Sequence, residues 1–117
     1  SMDLQKGERL CKAGIDVDGA LARFMNNEAL LLKFLFRFPA DPNFAALEQA
    51  LEQGNTEQAF TAAHTLKGVA GNLSLEELHR QVSLQVEDLR AGNLEQAREK
   101  MPQVRQAYEA VLSALEG

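Results

Sequence analysis

Apolar residues recur at intervals of three and four positions along almost the whole of this 117-residue chain, and this period constrains the fold more than any other feature. The alternation of apolar and polar residues that marks half-buried strands is missing. The sequence therefore predicts an all-α protein. Hydrophobic residues make up 45% of the chain, enough for a sizeable core. We expect residues 3–117 to form one domain and interpret Ser1 and Met2 as a cloning remnant.

Turn and capping residues divide the chain into six predicted helices. They cover about residues 18–24, 27–38, 42–53, 56–73, 75–91 and 94–115. Short connections between the last four helices favour antiparallel neighbours. The predicted architecture is an antiparallel up-down-up-down four-helix bundle, capped by the two shorter N-terminal helices.

Specific residues support several of these boundaries. Asp41 is a candidate N-cap of the third helix and Gly54 is its predicted end. Ser74 and Glu77 have the S-x-x-E spacing of a capping box at the start of the fifth helix. Pro102 lacks a backbone donor, which predicts a kink just before it or a division of the last segment into two helices.

Charge and composition exclude several classes of function. The net charge is −5 and the positive residues are scattered, so nucleic acid is an unlikely partner. Cys11 is the only cysteine, which excludes an internal disulfide and favours a reducing, cytoplasmic location. The most apolar run, residues 29–38, is too short for a membrane span and contains Lys33 and Arg37. We expect a buried helix there and no direct membrane contact.

The fourth predicted helix carries the most informative residue, His64. At about 100° per residue, its apolar residues point away from the histidine; they are Ala59, Ala62, Leu66, Val69, Ala70 and Leu73. Another set shares the side of His64, namely Phe60, Thr61, Lys67, Gly68 and Gly71. The imidazole is therefore predicted to face solvent or a partner.

An exposed neutral imidazole is a nucleophile that can carry a phosphoryl group. Lys67, at i+3, can offset phosphoryl charge, although a solvated helix lysine is the alternative. Gly68 costs about 0.5–1 kcal/mol relative to alanine inside a helix, which indicates close approach by another molecule. Gly71 has the same interpretation, or simply ends the helix. Phe60 is a candidate docking contact, or it packs against a neighbouring helix at the edge of the bundle.

The chain lacks the motifs of an enzyme that phosphorylates itself. It has no glycine-rich nucleotide loop and no acidic cluster spaced to hold Mg²⁺. The phosphoryl group must therefore come from another molecule. A metal-dependent or phosphatase-like enzyme would need a second group converging on His64, and His79 on the next helix has no supporting constellation. We expect His79 to have a surface or structural role.

The stretch His64-Thr65-Leu66-Lys67-Gly68-Val69-Ala70-Gly71-Asn72-Leu73 closely resembles the signature of histidine-containing phosphotransfer (HPt) domains. Residues 14–24 also resemble the lead-in to such domains, so that the resemblance extends from residue 14 to about 115. Ser74 stands where the family commonly has glycine. We interpret this departure as a local change in a turn.

The resemblance implies a monomeric module, often at the C-terminus of a bacterial hybrid sensor histidine kinase, that relays phosphate between receiver-domain aspartates. His64 would be phosphorylated, Lys67 would stabilise the phosphoryl group, and Gly68 would give clearance. Gly71, Phe60 and Thr61 would lie at the docking face. No cofactor is expected, because Mg²⁺ belongs to the receiver. The alternative is a helical module that docks on receivers or other partners without carrying phosphate.

Overall fold

The computed structural model describes residues 2–117, and within this range the elements are helical, which confirms the all-α prediction. They are α1 (Leu4–Lys12), α2 (Val17–Arg23), α3 (Glu28–Arg37), a 3-10 helix (Phe38–Ala40), α4 (Asn43–Gln53), α5 (Thr56–Asn72), α6 (Glu76–Arg90), α7 (Leu94–Glu99) and α8 (Met101–Glu116). The predicted cloning remnant falls partly outside the described residues, at Ser1, whereas Met2 packs against the core. None of the described helices has the length and hydropathy to cross a membrane.

Helix α1 is absent from the six predicted helices, so three helices precede α4 where two were expected. The Asp3 carboxylate caps α1 by accepting the Lys6 N–H at 2.7 Å. Leu10 is buried where α1 packs beside α8, whereas Leu4 lies exposed. Helix α1 is nine residues long and mostly polar. The prediction missed it because so short a polar segment offers few apolar positions from which to recognise a period.

The expectation of a buried helix at residues 29–38 holds for only one side of it. One side of α3 is buried through Leu31 and Leu35. The other side exposes large apolar side chains at fractions of 39–50%; they are Leu30, Phe34 and Phe36. Helix α3 makes few contacts with other helices, so part of its apolar surface has no neighbouring helix to cover it.

Gly54 ends α4 as predicted, whereas the N-cap residue of α4 is Pro42 and not the predicted Asp41. Gly54 ends α4 in the left-handed conformation with φ of 72°, which glycine adopts without steric cost. The Asp41 carboxylate accepts the Asn43 N–H at 2.9 Å at the start of α4. At the start of α5, the side chain of Asn55 accepts the Gln58 N–H at 3.0 Å.

The capping box predicted at Ser74 is wrong. Leu75, not Ser74, precedes α6, and no side chain caps that end. Ser74 is buried and takes a left-handed backbone with φ of 54°, a conformation that favours glycine. The left-handed backbone explains why glycine would suit this position. The serine hydroxyl makes no capping hydrogen bond to α6.

A backbone clasp joins the segment before α2 to the turn between α5 and α6. Asp16 N–H donates to the Ser74 carbonyl at 2.9 Å, and Glu77 N–H donates to the Gly14 carbonyl at 3.2 Å. Between them, Ile15 and Leu75 form an isolated antiparallel bridge. Gly14 is required here, because it has φ of 83° and a Cβ on it would lie 2.5 Å from the Glu77 Cβ.

The chain breaks between α7 and α8 at Lys100, which confirms the second of the two outcomes predicted from Pro102. Pro102 lies in the first turn of α8. A backbone N–H there would have no acceptor within the helix, so the proline costs no intrahelical hydrogen bond.

Helix α5 lies between α4 and α6 and forms the centre of the core. Small residues dominate its buried face and allow both neighbours to approach closely; the buried residues are Ala59, Ala62, Ala63, Leu66 and Ala70. An apolar stripe along α6 and the residue before it is also buried; it consists of Leu75, Leu78, Val82, Val86 and Leu89. Because the core buries this side of α5, the opposite side of the helix faces the surface.

Candidate functional site

His64 is exposed on α5, while Leu66 and Ala70 on the opposite side are fully buried. The predicted orientation of the histidine is confirmed. None of the side-chain hydrogen bonds formed by residues 2–117 involves its ring. Both ring nitrogens are therefore available to a reaction partner, and a neutral imidazole offers an unprotonated nitrogen as the nucleophile.

The Phe60 ring packs one turn before His64, with ring centroids 5.7 Å apart and planes tilted by 31°. Phe60 is half-buried against the core, which agrees with the alternative of packing at the bundle edge, and its role as a docking contact stays a prediction. The Arg90 guanidinium, at the end of α6, lies 5.1 Å from the centroid of the Phe60 ring. An aromatic ring thus separates the histidine from an arginine that the sequence analysis did not identify.

Lys67 lies one turn after His64 and is half-buried. None of the ion pairs found in the described part of the chain uses its ammonium. Thr61 is exposed on the same side, and its carbonyl accepts the Thr65 hydroxyl at 2.9 Å. A lysine without an internal carboxylate partner can offer its charge to an anion on His64.

The two glycines beyond Lys67 differ in their surroundings. A Cβ placed on Gly68 would meet no heavy atom within 4 Å, so this position opens to solvent. A Cβ on Gly71 would lie 3.4 Å from Cδ2 of His79 on α6. The interpretation of Gly71 as clearance for an external partner is therefore incomplete, because the His79 side chain lies over Gly71 within the molecule.

The His79 contact and the Arg90 contact together define the register of α5 and α6. Residue 71 on α5 lies near residue 79 on α6, and residue 60 lies near residue 90. Moving eleven residues back along α5 therefore corresponds to moving eleven residues forward along α6. The two helices are antiparallel. In this register Ser83 lies at the same level along the helix pair as Lys67, and the buried Val86 lies at the same level as His64. The sequence alone could not reveal the register, because it depends on how the two helices dock.

The carboxylate of Glu77, two residues before His79, is engaged with other partners. Arg80 donates to the Glu77 carboxylate at 2.8 Å, and this hydrogen bond, with one from Gln81, holds the pKa of Glu77 below its ordinary value. Residues 2–117 contain no group of three or more His, Cys, Asp or Glu side chains placed to hold a metal ion.

Comparison with protein families identifies the family of this chain. The family model described as "Hpt domain" matches residues 32–114, most of the chain. This chain belongs to the Hpt domain family. Hpt domains are histidine-containing phosphotransfer domains that interact with receivers in two-component phosphorelays. The matched range of this Hpt domain includes His64 and leaves α1 and α2 outside. Neither the curated proteins nor the solved structures contain a significant match.

Proposed function

We propose that this Hpt domain accepts a phosphoryl group from a receiver aspartate onto His64 and passes it to the aspartate of another receiver. The observation that carries the proposal is the exposed imidazole on the matched helix, with Lys67 one turn away and open space at Gly68. A receiver can therefore approach His64 without meeting a side chain at the adjacent turn.

The transfer conserves atoms and charge without a cofactor in this chain. A neutral imidazole nitrogen of His64 attacks the phosphorus of the aspartyl phosphate. The N–P bond forms as the acyl O–P bond breaks, and the aspartate leaves as a carboxylate. The other ring nitrogen keeps its proton. The reverse step onto a second aspartate delivers the phosphoryl group onward.

The other site residues have supporting roles in this proposal. Lys67 binds the phosphoryl oxygens, and Gly68 leaves room for the receiver. Thr61 and Gly71 border the docking face, and the outer edge of Phe60 contributes an apolar contact. Any Mg²⁺ belongs to the receiver, since the residues of this chain supply only the nucleophile, a cation and a surface.

The wider setting is part of the proposal. We infer a cytoplasmic, monomeric module from a hybrid sensor histidine kinase, which has no kinase activity of its own and acts without nucleic acid or direct membrane contact. Its long helices α4, α5, α6 and α8 would form the up-down-up-down bundle, with the N-terminal helices as the cap.

Incubation with a phosphorylated receiver tests this function. We expect label that is stable in alkali and labile in acid, as for an N–P bond, and that is lost in His64→Gln. The matched control is His79→Gln, which removes the second histidine and keeps the first. Label that persists in His64→Gln would contradict the proposal, as would binding of receivers without any transfer of label.

Two further variants separate charge from clearance. Lys67→Ala should slow transfer by about tenfold, because a charge-assisted hydrogen bond to the phosphoryl group is lost. Gly68→Gln should slow it by obstructing the receiver, and small donors should be less affected. Equal loss with receivers and small donors in Gly68→Gln would contradict the clearance role.

A further inference from the structure

We propose that a cavity between α1, α3 and the end of α8 binds a small organic acid, in which one carboxylate is attached to one apolar group. Lys6 and Arg9 on α1 would hold the carboxylate, and Leu32 and Phe36 on α3 would contact the apolar group. Among the described residues, those that line this cavity include none from α5, so the site is separate from His64. The inference is therefore independent of the proposed phosphotransfer.

The cavity has the size of a site for a small ligand. Its volume is about 260 Å³, just below the range of about 300–1,000 Å³ that is usual for small-molecule sites. A single ring with a short chain is therefore the largest ligand that suits it. Apolar side chains form much of the wall; they are Leu10, Leu32, Phe36, Ala114 and Leu115. Leu10 is buried and Phe36 is half exposed, so the apolar wall extends from the core to the surface.

The Arg9 guanidinium carries a buried donor without an acceptor. Its Nε is shielded from solvent and has no hydrogen-bond partner. The Gly117 backbone lies against the guanidinium but accepts no hydrogen bond from Nε. An unsatisfied buried donor destabilises a protein, the more so when its group is charged. A carboxylate accepts from Nε–H and Nη–H together, so a ligand of this class would supply the acceptor that Arg9 lacks.

Lys6 supplies a second positive charge to the same cavity. Its ammonium lies 5.6 Å from the centroid of the Phe36 ring, within the range of cation–π attraction. None of the ion pairs found within residues 2–117 involves Lys6 or Arg9. Two cations without carboxylate partners, beside an aromatic wall, fit an anion that has an apolar group next to its charge.

The charge of the cavity is opposite to that of the whole chain. The chain has a net charge of −5, yet the lining of the cavity has two basic side chains and one acidic side chain, Glu116. Glu116 is exposed, so its carboxylate can stay in water when a ligand enters. The side chains around the cavity therefore favour an anion.

A second cavity, between α2, α3 and α5, also contains aromatic rings and an arginine. Arg37 lines it beside Phe34, but the Asp41 carboxylate lines it as well. One cation and one carboxylate leave this lining neutral, so it offers an anion no advantage. A ligand attracted by apolar surface alone would bind in this second cavity, which makes it an internal comparison for the first.

Titration with 3-phenylpropionate, followed by NMR of the backbone amide signals, tests the proposal. We expect saturable shifts around residues 6–10, 32–36 and 114–116, with the millimolar affinity that is usual for so small a ligand. The matched control is 3-phenylpropionamide, which has the same shape without the charge and should bind about tenfold more weakly.

Several outcomes of this titration would overturn the proposal. One is the absence of saturable shifts, and another is equal binding of the acid and the amide. Shifts centred on Phe34 and Arg37 would place the ligand in the neutral cavity. Inorganic phosphate that binds as tightly as the organic acid would show that the apolar group contributes nothing.

Variants of α1 test the two cations directly. Arg9→Gln should weaken binding of 3-phenylpropionate about tenfold, because a charge-assisted pair of hydrogen bonds is lost. Lys12→Gln makes the same charge change on the same helix outside the lining of the cavity, and should leave the Kd unchanged. Where Arg9→Gln does not fold, Lys6→Gln gives the same comparison. Equal affinities in the cavity variant and in Lys12→Gln would overturn the proposal.

The apolar part of the site is tested at Phe36. Phe36→Leu keeps an apolar side chain and removes the ring, so we expect the Kd to rise about threefold as contact area is lost. Thermal unfolding checks that the variant is folded. An unchanged Kd would show that the ligand does not lie against α3, and would overturn the assignment of its apolar group.

Discussion

Helices α3 and α5 expose different kinds of residues to solvent although both are amphipathic in sequence. Helix α3 exposes large apolar side chains, whereas α5 exposes a histidine and a glycine beside it. Helix α5 packs between α4 and α6, which cover its apolar residues, and its outer side carries His64 and two glycines. Helix α3 has fewer helical neighbours and leaves Phe34 and Phe36 about half exposed. Periodicity identifies the apolar side of a helix, but the number of neighbouring helices decides how much of that side is covered.

The outer aromatic residues of α3 nevertheless have local partners. Phe34 lies 5.7 Å from the Phe24 ring and receives the Arg37 guanidinium at 5.5 Å, and the Lys6 ammonium lies 5.6 Å from the Phe36 ring. Of these partners Arg37 is exposed, whereas Phe24 packs partly against the core. Such contacts shield part of a ring, whereas the core around α5 removes whole side chains from water.

The largest expected effect is on the free energy of unfolding, when one apolar side chain on α5 and one on α3 are truncated and compared. Leu66→Ala on α5 should lower the free energy of unfolding by about 2–5 kcal/mol, because a fully buried side chain leaves a cavity. Phe36→Ala on α3 should cost about 1 kcal/mol or less, since half of the ring is already in water. Urea unfolding measures both. Similar losses would show that α3 is packed as firmly as α5.

A smaller effect is expected at two turns that share a left-handed backbone. Met25, before α3, has φ of 55°, and Ser74, after α5, has φ of 54°. Glycine at either position should relieve strain and raise the free energy of unfolding by about 0.5–1 kcal/mol. Met25 is exposed, so its replacement loses no packing, and its gain should be the larger. Destabilisation by Ser74→Gly would show that the buried hydroxyl stabilises the turn.

The smallest expected difference separates two glycines on the outer side of α5. Gly68→Ala should raise the free energy of unfolding by about 0.5–1 kcal/mol, because alanine favours the helix and its methyl group meets open space. Gly71→Ala should gain less, since its methyl group contacts the His79 ring. Thermal unfolding measures both, and adding His79→Ala should restore the gain at residue 71. Equal gains without that change would contradict the contact.

The sequence predicted the helical class, the exposure of His64 and the apolar side of α5 opposite to it, because each depends on period within one helix. It missed α1, the exposed side of α3 and the Phe60–Arg90 contact. Helix α1 is too short and too polar for its period to be recognised. The exposed side of α3 and the Phe60–Arg90 contact depend on docking between segments far apart in the chain. The error at Ser74 has a different cause, since a motif that fits a cap was taken as one without knowledge of the backbone angle at that residue.

The clasp between residues 14–16 and the turn after α5 has a consequence for where this domain can be cut. The family match begins at residue 32, but the backbone groups that meet the start of α6 come from residues 14 and 16. A fragment limited to the matched range would leave Ser74 and Glu77 without these partners and would lose the buried Ile15. The cooperative folding unit is therefore longer at its N-terminal side than the unit that defines the family.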